Sequence, residues 1–183
     1  MGSAAVARIR LAQSGDAEAI ARIQVAGWRV AYAAILPRDF LDGLDTTARA
    51  AQWRTRIGPA ARAGAPTFAA LDETDALRGF AHTGPVRDDD LVAAPSGRAE
   101  VYTVYVDPAA WRRGIGSELM GAIDRFWAPT EVHELYLWVF EENAESRAFY
   151  ERLGWRPDGS RQVDDFGGAH PVEISYRRSL TSS

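Results

Sequence analysis

The 183-residue chain contains no cysteine. That removes disulfide frameworks and any covalent chemistry on a protein thiolate. Long apolar runs are missing as well. None approaches the ~20 residues that span a bilayer, and the opening "MGSAAVARIRLAQ" lacks the apolar centre of a secretory signal. Val6 stands where an N-myristoylation signal requires Ser or Thr. These absences exclude a membrane partner and leave a cytoplasmic protein as the expectation. Positive charge is not in surplus: 21 basic residues face 25 acidic ones, for a net charge of −4. That argues against a nucleic-acid partner. His82, His133 and His170 are scattered without ligand spacing, so no metal is expected. No internal repeat, low-complexity tract or long linker divides the chain, which reads as one domain over residues 1–183. Its 46% hydrophobic and 25% charged composition is that of a globular protein.

What is present is a succession of short periodic segments. "VARIRLA" (Val6 to Ala12) alternates and predicts a strand. "SGD" supplies N-cap chemistry for a helix through "AEAIARIQVAGWRVAYAAIL", broken by Pro37 and the Gly43 region. Thr46 and Thr47 are candidate caps for a second helix, "ARAAQWRTRI", ending at Gly58-Pro59. "TFAALDE" and "LRGFAHTG" flank an Asp-containing turn as a hairpin, and "AEVYTVYVD" follows as a third strand. Ile115, Leu119, Ile123 and Phe126 lie at helical spacing in "IGSELMGAIDRFW". "ELYLWVF" is a strand, "AESRAFYERL" a short helix capped by Gly154, and "RQVDDF" and "PVEISYRRSL" the final strands. The order predicts a mixed α/β layer around one sheet.

Within this order, "VYTVYVDP" runs into "AAWRRGIG" and then a helix. The first amides of a helix have no internal acceptor and, with the macrodipole, form an anion site. Gly114 and Gly116 let a backbone close on an anion, and Arg112 and Arg113 add positive charge. A plain tight turn explains the two glycines equally well on spacing alone. The pattern is neither a P-loop nor a full dinucleotide fingerprint. A second constellation is "FEENAESRAFYERLGW", where Asn143 is a natural N-cap and Tyr150 lies seven residues on. Seven helical residues make nearly two turns, which puts the two on one face about 10 Å apart.

Together, "VYVDPAAWRRGIGSEL" and the following "N-x-x-S-x-x-F-Y-x-x-x-G-W" resemble the GNAT superfamily of acetyl-CoA-dependent N-acyltransferases, most specifically across residues 99–155. The resemblance implies a central, mostly antiparallel sheet with a splayed parallel pair of strands flanked by helices. It implies acetyl-CoA as cosubstrate, with its pyrophosphate held by Arg112, Arg113, Gly114, Ile115, Gly116 and Ser117. Backbone groups of Val104, Tyr105 and Val106 would hold the pantetheine arm, Asn143 would touch the cofactor, and Tyr150 would be the general acid. Trp111 departs from the family pattern, which has Arg or Gln at that position.

Amide formation from an alkyl amine with a pKa of about 10.4 needs a proton acceptor. Glu100 at the start of the central strand is the candidate, acting through water; a solvated strand-end carboxylate is the plainer alternative. Backbone N–H groups near Tyr105 and Val106 would face the developing oxyanion. Trp28 and Tyr32, at i and i+4, form one aromatic face bordering the acceptor site of the resembled family. Tyr102, Trp138, Phe166 and His170 are further acceptor-side candidates. The run Asp88–Asp90 is a solvated loop or a lure for a cationic acceptor. The expected partner is a small-molecule or peptide amine, and the final strands are a candidate homodimer surface. The competing reading is a non-catalytic acyl-CoA sensor on the same fold, which would have no use for Tyr150 as an acid.

Overall fold

A computed structural model describes residues 8–58, 64–87 and 97–180. Val6, Ala7 and the Asp88–Asp90 run lie outside them. The elements in chain order are β1 (Arg8–Leu11), α1 (Ala17–Ala31), α2 (Arg38–Asp42), α3 (Thr46–Ile57), β2 (Thr67–Leu71), β3 (Leu77–Pro85), β4 (Arg98–Val106), α4 (Ile115–Trp127), β5 (Glu134–Phe140), α5 (Ala144–Arg152), β6 (Arg156–Val163) and β7 (Val172–Ser179). Short 3-10 turns precede α1 and follow β4.

The strands form one seven-stranded sheet in the order β1-β2-β3-β4-β5-β7-β6. All neighbours are antiparallel except β4 and β5. That parallel pair is bonded over three residues only, Arg98↔Glu134, Ala99↔Leu135 and Glu100↔Tyr136. Beyond them β4 continues to Val106 on β3 and β5 continues to Phe140 on β7. The two strands part, and the sheet is open between them.

Helices cover both faces. On one, the apolar stripe of α4 buries Ile115, Leu119, Met120 and Ile123 against Phe68, Ala81, Val101, Leu135 and Leu137. On the other, α1 and α3 pack Ile20, Ile23 and Trp53 over Phe80. Trp53 donates its Nε1–H to Gln24 at 2.8 Å, which satisfies both buried groups. Two glycines set the helix distances. A Cβ on Gly27 of α1 would come within 3.0 Å of the Tyr105 ring. One on Gly79 of β3 would meet the Tyr105 carbonyl at 3.0 Å, Ile115 at 3.1 Å and Leu119 at 3.2 Å.

Several sequence-based boundaries shift. The first helix ends at Ala31 instead of running toward Pro37, because Tyr32–Ile35 form turns. The Arg38–Asp42 helix was not anticipated; Pro37 stands at its N-cap, where proline's lack of an N–H does no harm. The cap of α3 is Asp45, whose carboxylate accepts from the Thr47 and Ala48 amides, while Thr46 and Thr47 lie inside the helix. β6 begins at Arg156, five residues before the predicted Arg161, and Phe166 falls outside it in a turn bridged to Ala169.

Gly79→Ala forces its methyl group against backbone on one side and the core face of α4 on the other. Such overpacking costs about 1–3 kcal/mol. Urea unfolding should show a lower midpoint with an unchanged slope.

Candidate active site

The gap between β4 and β5 opens into a cleft of about 1140 Å³ lined from both faces of the sheet. Val101–Val106 form one wall and Leu137–Phe140 the other. The β4 backbone beyond Glu100 has no strand partner on this side among the described residues. Peptide groups left unpaired in such a place need partners, and an extended amide-bearing ligand can supply them as a strand would.

A bulge shapes this wall. The β3–β4 register shifts between His82 and Thr83, with Thr83↔Val101 but His82↔Thr103. Alternation is interrupted, so Val101, Val104 and Val106 pack on the α4 side. Tyr102 meets His82 and Tyr105 meets Phe80 on the other side. The extra residue thus turns Tyr102 and Tyr105 toward α1 and α3 while the strand keeps its hold on α4.

At one end the cleft reaches the first turn of α4, lined by Arg112, Gly114, Ile115, Gly116 and Ser117. The first helical hydrogen bond runs from the Glu118 amide to the Gly114 carbonyl at 3.1 Å. The amides of Ile115, Gly116 and Ser117 therefore have no acceptor within the helix. Gly114 is the N-cap with φ of +82°, a left-handed conformation suited to glycine. A Cβ there would meet nothing within 4 Å, so the space in front of it is open. Gly116 has a different cause: a Cβ would approach the Phe149 ring at 3.1 Å. Arg112 also takes a positive φ, 61°, and its side chain pairs with Glu145 at the surface. Trp111 donates its Nε1–H to the Val106 carbonyl at 2.8 Å. The residue that departs from the family pattern thus ties this turn to the end of β4.

Asn143 caps α5, its Oδ1 accepting from the Ser146 amide at 3.1 Å, and is buried. It and Tyr150 both line the cleft. The Tyr150 hydroxyl makes no hydrogen bond among the described residues; the part of the side chain left open faces the cleft. Burial, and secondarily Tyr32, raises its pKa above the usual phenol range. Tyr32 and Tyr105 share a hydroxyl contact of 3.2 Å, and burial pushes Tyr105 up to about 12. All three phenols stay protonated at neutral pH.

The far end of the cleft is formed by Trp28, Tyr32, Arg49, Trp53, Arg56, His82, Arg87, Tyr102, Trp138 and Glu173. Trp28 and Tyr32 meet edge to face at 5.2 Å, and Phe166 packs on Trp28 and Phe140 beneath them. His170 is a surface residue beside Asp165 and is not part of the cleft. Glu100, the sequence-based proton acceptor, is not in the lining either. It is 3% exposed, and its two oxygens are taken by the Arg87 guanidinium at 2.5 and 3.2 Å, the Arg87 amide and the Tyr136 hydroxyl at 2.9 Å. Three glutamates line the cleft, Glu142, Glu145 and Glu173, and the one that stands with the acceptor-side residues is Glu173. Its Oε2 accepts from Gln162 at 2.7 Å, and burial raises its carboxyl above the ordinary glutamate range. No signal local to Glu173 marked it; its position follows from the β5–β7 register, where it stands opposite Phe140.

His82 belongs to no group of three or more potential metal-ligating side chains among the described residues. It sits in the wall between Trp53 and Tyr102, with Nδ1 at 3.1 Å from the Pro66 carbonyl and 3.0 Å from Thr67 Oγ1. The carbonyl contact requires a proton on Nδ1. Burial, together with Arg56 and Arg87, holds its pKa down to about 4.

A sheet parted at its one parallel pair, with a helix N-terminus at the mouth of the gap, defines an acyl-CoA N-acyltransferase class of architecture. The chain matches the Acetyltransferase (GNAT) family over residues 28–155 and belongs to it. It is an N-acetyltransferase of that family. An uncharacterised N-acetyltransferase of Bacillus subtilis is 29% identical over 143 residues, covering 78% of this chain and 76% of that one. A phosphinothricin acetyltransferase from Sinorhizobium meliloti, solved with acetyl-CoA, superposes with a TM-score of 0.71 at 19% identity, covering 97% of this chain and 90% of that one. The PaiA N-acetyltransferase of Thermoplasma acidophilum, solved with coenzyme A, gives 0.68 at 16% identity, with 94% and 98% covered. No helix among the described residues is long and apolar enough to cross a membrane.

His82 makes stability depend on pH. Its pKa is about 4 in the folded chain against an ordinary 6.5. Between these values the unfolded chain binds the extra proton and the folded chain does not, so stability falls as pH drops from 6.5 toward 4. The full effect is about 3 kcal/mol, at 1.36 kcal/mol per unit. Chemical unfolding of the native chain and His82→Gln at several pH values should show this slope only in the native chain.

Proposed function

We propose that the protein transfers the acetyl group of acetyl-CoA to a primary amine by direct attack, with Tyr150 as the acid for the leaving sulfur. The observation that carries this reading is the unpartnered Tyr150 hydroxyl on a cleft that also receives the free edge of β4 and the first turn of α4. Crystallised relatives hold coenzyme A or acetyl-CoA in this fold. The residues here fit such a ligand. The amides of Ile115, Gly116 and Ser117, with Arg112, suit a pyrophosphate, while Arg113, expected beside them, is outside the cleft lining. Val104, Tyr105 and Val106 offer backbone groups to the amides of the pantetheine arm, and the Asn143 carboxamide keeps its N–H groups for the same ligand. Backbone N–H groups near Tyr105 and Val106 stabilise the developing oxyanion.

Glu173 takes the proton-acceptor role expected of Glu100, because it lines the cleft beside the acceptor-side aromatic residues. It accepts the proton that the attacking amine loses, directly or through one water. The N–C bond forms as the C–S bond breaks, and Tyr150 gives its proton to the sulfur, recovering one from solvent. A phenol is nominally a weaker acid than the thiol it protonates, ~10 against ~8.5. The same burial that raises the phenol raises a thiolate beside it, so the pair remains matched. The amine enters along Trp28, Tyr32, Tyr102 and Trp138.

Tyr150→Phe should lower turnover about 10²- to 10⁴-fold while acetyl-CoA still stabilises the variant as it does the native chain. Acetyl-CoA at 100 times its Kd adds ~2.7 kcal/mol, a Tm rise of several degrees at ~2–4 °C per kcal/mol. Equal turnover in the variant across pH removes Tyr150 as the acid, and no Tm rise at millimolar acetyl-CoA removes the ligand. For Glu173→Gln the expected loss is the acid limb of the kcat/KM profile. A base must be ionised to act, so native activity climbs with pH through a carboxyl pKa displaced upward by burial.

A further inference from the structure

Three residues of α3 form a stripe along the acceptor end of the cleft: Arg49, Trp53 and Arg56, at i, i+4 and i+7. This spacing puts them on one helical face. Trp53 is buried and fixed by its bond to Gln24, and the Arg56 guanidinium lies 5.0 Å from its ring centre. Arg49 lies 5.6 Å over Trp28 in the same way. Stacking holds the plane of a guanidinium while leaving its five in-plane N–H donors free. Arg54, on the other face of the helix, closes on Glu18. Neither Arg49 nor Arg56 has a carboxylate partner among the described residues.

The third guanidinium of this end, Arg87, stacks 3.9 Å over Tyr102 but is already paired with Glu100. Three cations thus stand near two carboxylates, Glu100 and Glu173, with the surplus on Arg49 and Arg56. The crowding registers in Arg56, whose pKa is lowered by burial and then by Arg49 and Arg87. An incoming anion relieves both.

Resting on the acetyl-transfer reading above, we propose that the acceptor amine carries a compact oxyanion, a carboxylate or a phosphate, which Arg49 and Arg56 receive while the amine faces Glu173. The substrate class is a small amino acid or amino phosphate. This goes against the alternative that Asp88–Asp90, a run outside the described residues and otherwise read as a solvated loop, lure a cationic acceptor.

The test compares matched amines that differ only in the acid. Free L-amino acids are set against their amides, and phosphoethanolamine against ethanolamine, with acetyl-CoA as donor. Turnover and the Tm shift in the presence of acetyl-CoA are both read. For the preferred acid, kcat/KM should exceed that of its neutral partner about tenfold or more, as a charged hydrogen bond supplies, and the advantage should shrink at high salt. The amino-acid and phosphoethanolamine arms decide which oxyanion is read. In R49Q/R56Q the acid-to-neutral ratio should fall to about one, and R56K should restore part of it; an acetyl-CoA Tm shift in each variant confirms its fold. Acid and neutral partners used equally by the native chain, a ratio unmoved in R49Q/R56Q, or neither turnover nor a Tm shift with any acid would overturn the proposal. If acetyl-CoA shifts Tm and neutral amines are acetylated, the acetyl-transfer reading stands without it. If acetyl-CoA shifts nothing and no amine is acetylated, both fall.

Discussion

The parting of β4 and β5 is the constraint on which the rest depends. A parallel pair bonded over three residues leaves two strand edges facing one another across a gap. Buried peptide groups cannot remain unpaired without cost, so the gap must be wet or filled by a ligand that offers amides of its own. Everything that acts in the site reaches it through this opening. α4 presents its free amides at one end, α5 supplies Asn143 and Tyr150 along the side, and α1 with α3 closes the other end. Two of the helices are held on the sheet at close glycine contacts, α1 through Gly27 on Tyr105 and α4 through Gly79 on Ile115.

What was legible in the sequence was local. Periodicity and caps located the main strands and helices, and the two glycines marked the first turn of α4. Their reasons turned out to be separate. Gly114 answers to its positive φ and to open space, whereas Gly116 answers to the Phe149 ring of a helix 33 positions away. Non-local facts were not legible. Glu100 reads as a strand-end carboxylate until Arg87 and Tyr136 fold onto it. The bulge opposite His82 defeats strict alternation along β4, so the faces of Tyr102 and Tyr105 cannot be counted from Ala99. Glu173 enters the cleft only through strand register. The stripe Arg49–Trp53–Arg56 was visible at helical spacing, but nothing in that spacing said which face meets a cleft.

The pair of buried Glu100 with half-exposed Arg87 shows how the site separates two kinds of carboxylate. Both Glu100 oxygens are engaged in hydrogen bonds, and the carboxylate serves to fix Arg87 and, through it, Tyr102. Removing Arg87 would leave the enclosed Glu100 carboxylate short of its cation, which is costly on the buried side of the pair. Glu173 keeps one oxygen without a partner among the described residues and is raised by burial. The first carboxylate is structural and the second is free to exchange a proton. Environment, not residue type, makes the distinction.

The cations of this protein are uniform: all 21 basic residues are arginine and none is lysine. For an enzyme that hands acetyl groups to amines the difference is chemical. A lysine amine within reach of an activated acyl group can lose its charge and attack, particularly where burial and neighbouring cations lower its pKa. A guanidinium under the same stress stays protonated, as Arg56 does despite its neighbours. It also spreads its charge over a plane that stacks on Trp28, Trp53 or Tyr102. The acceptor end can therefore concentrate positive charge without offering a side-chain amine to compete with the substrate.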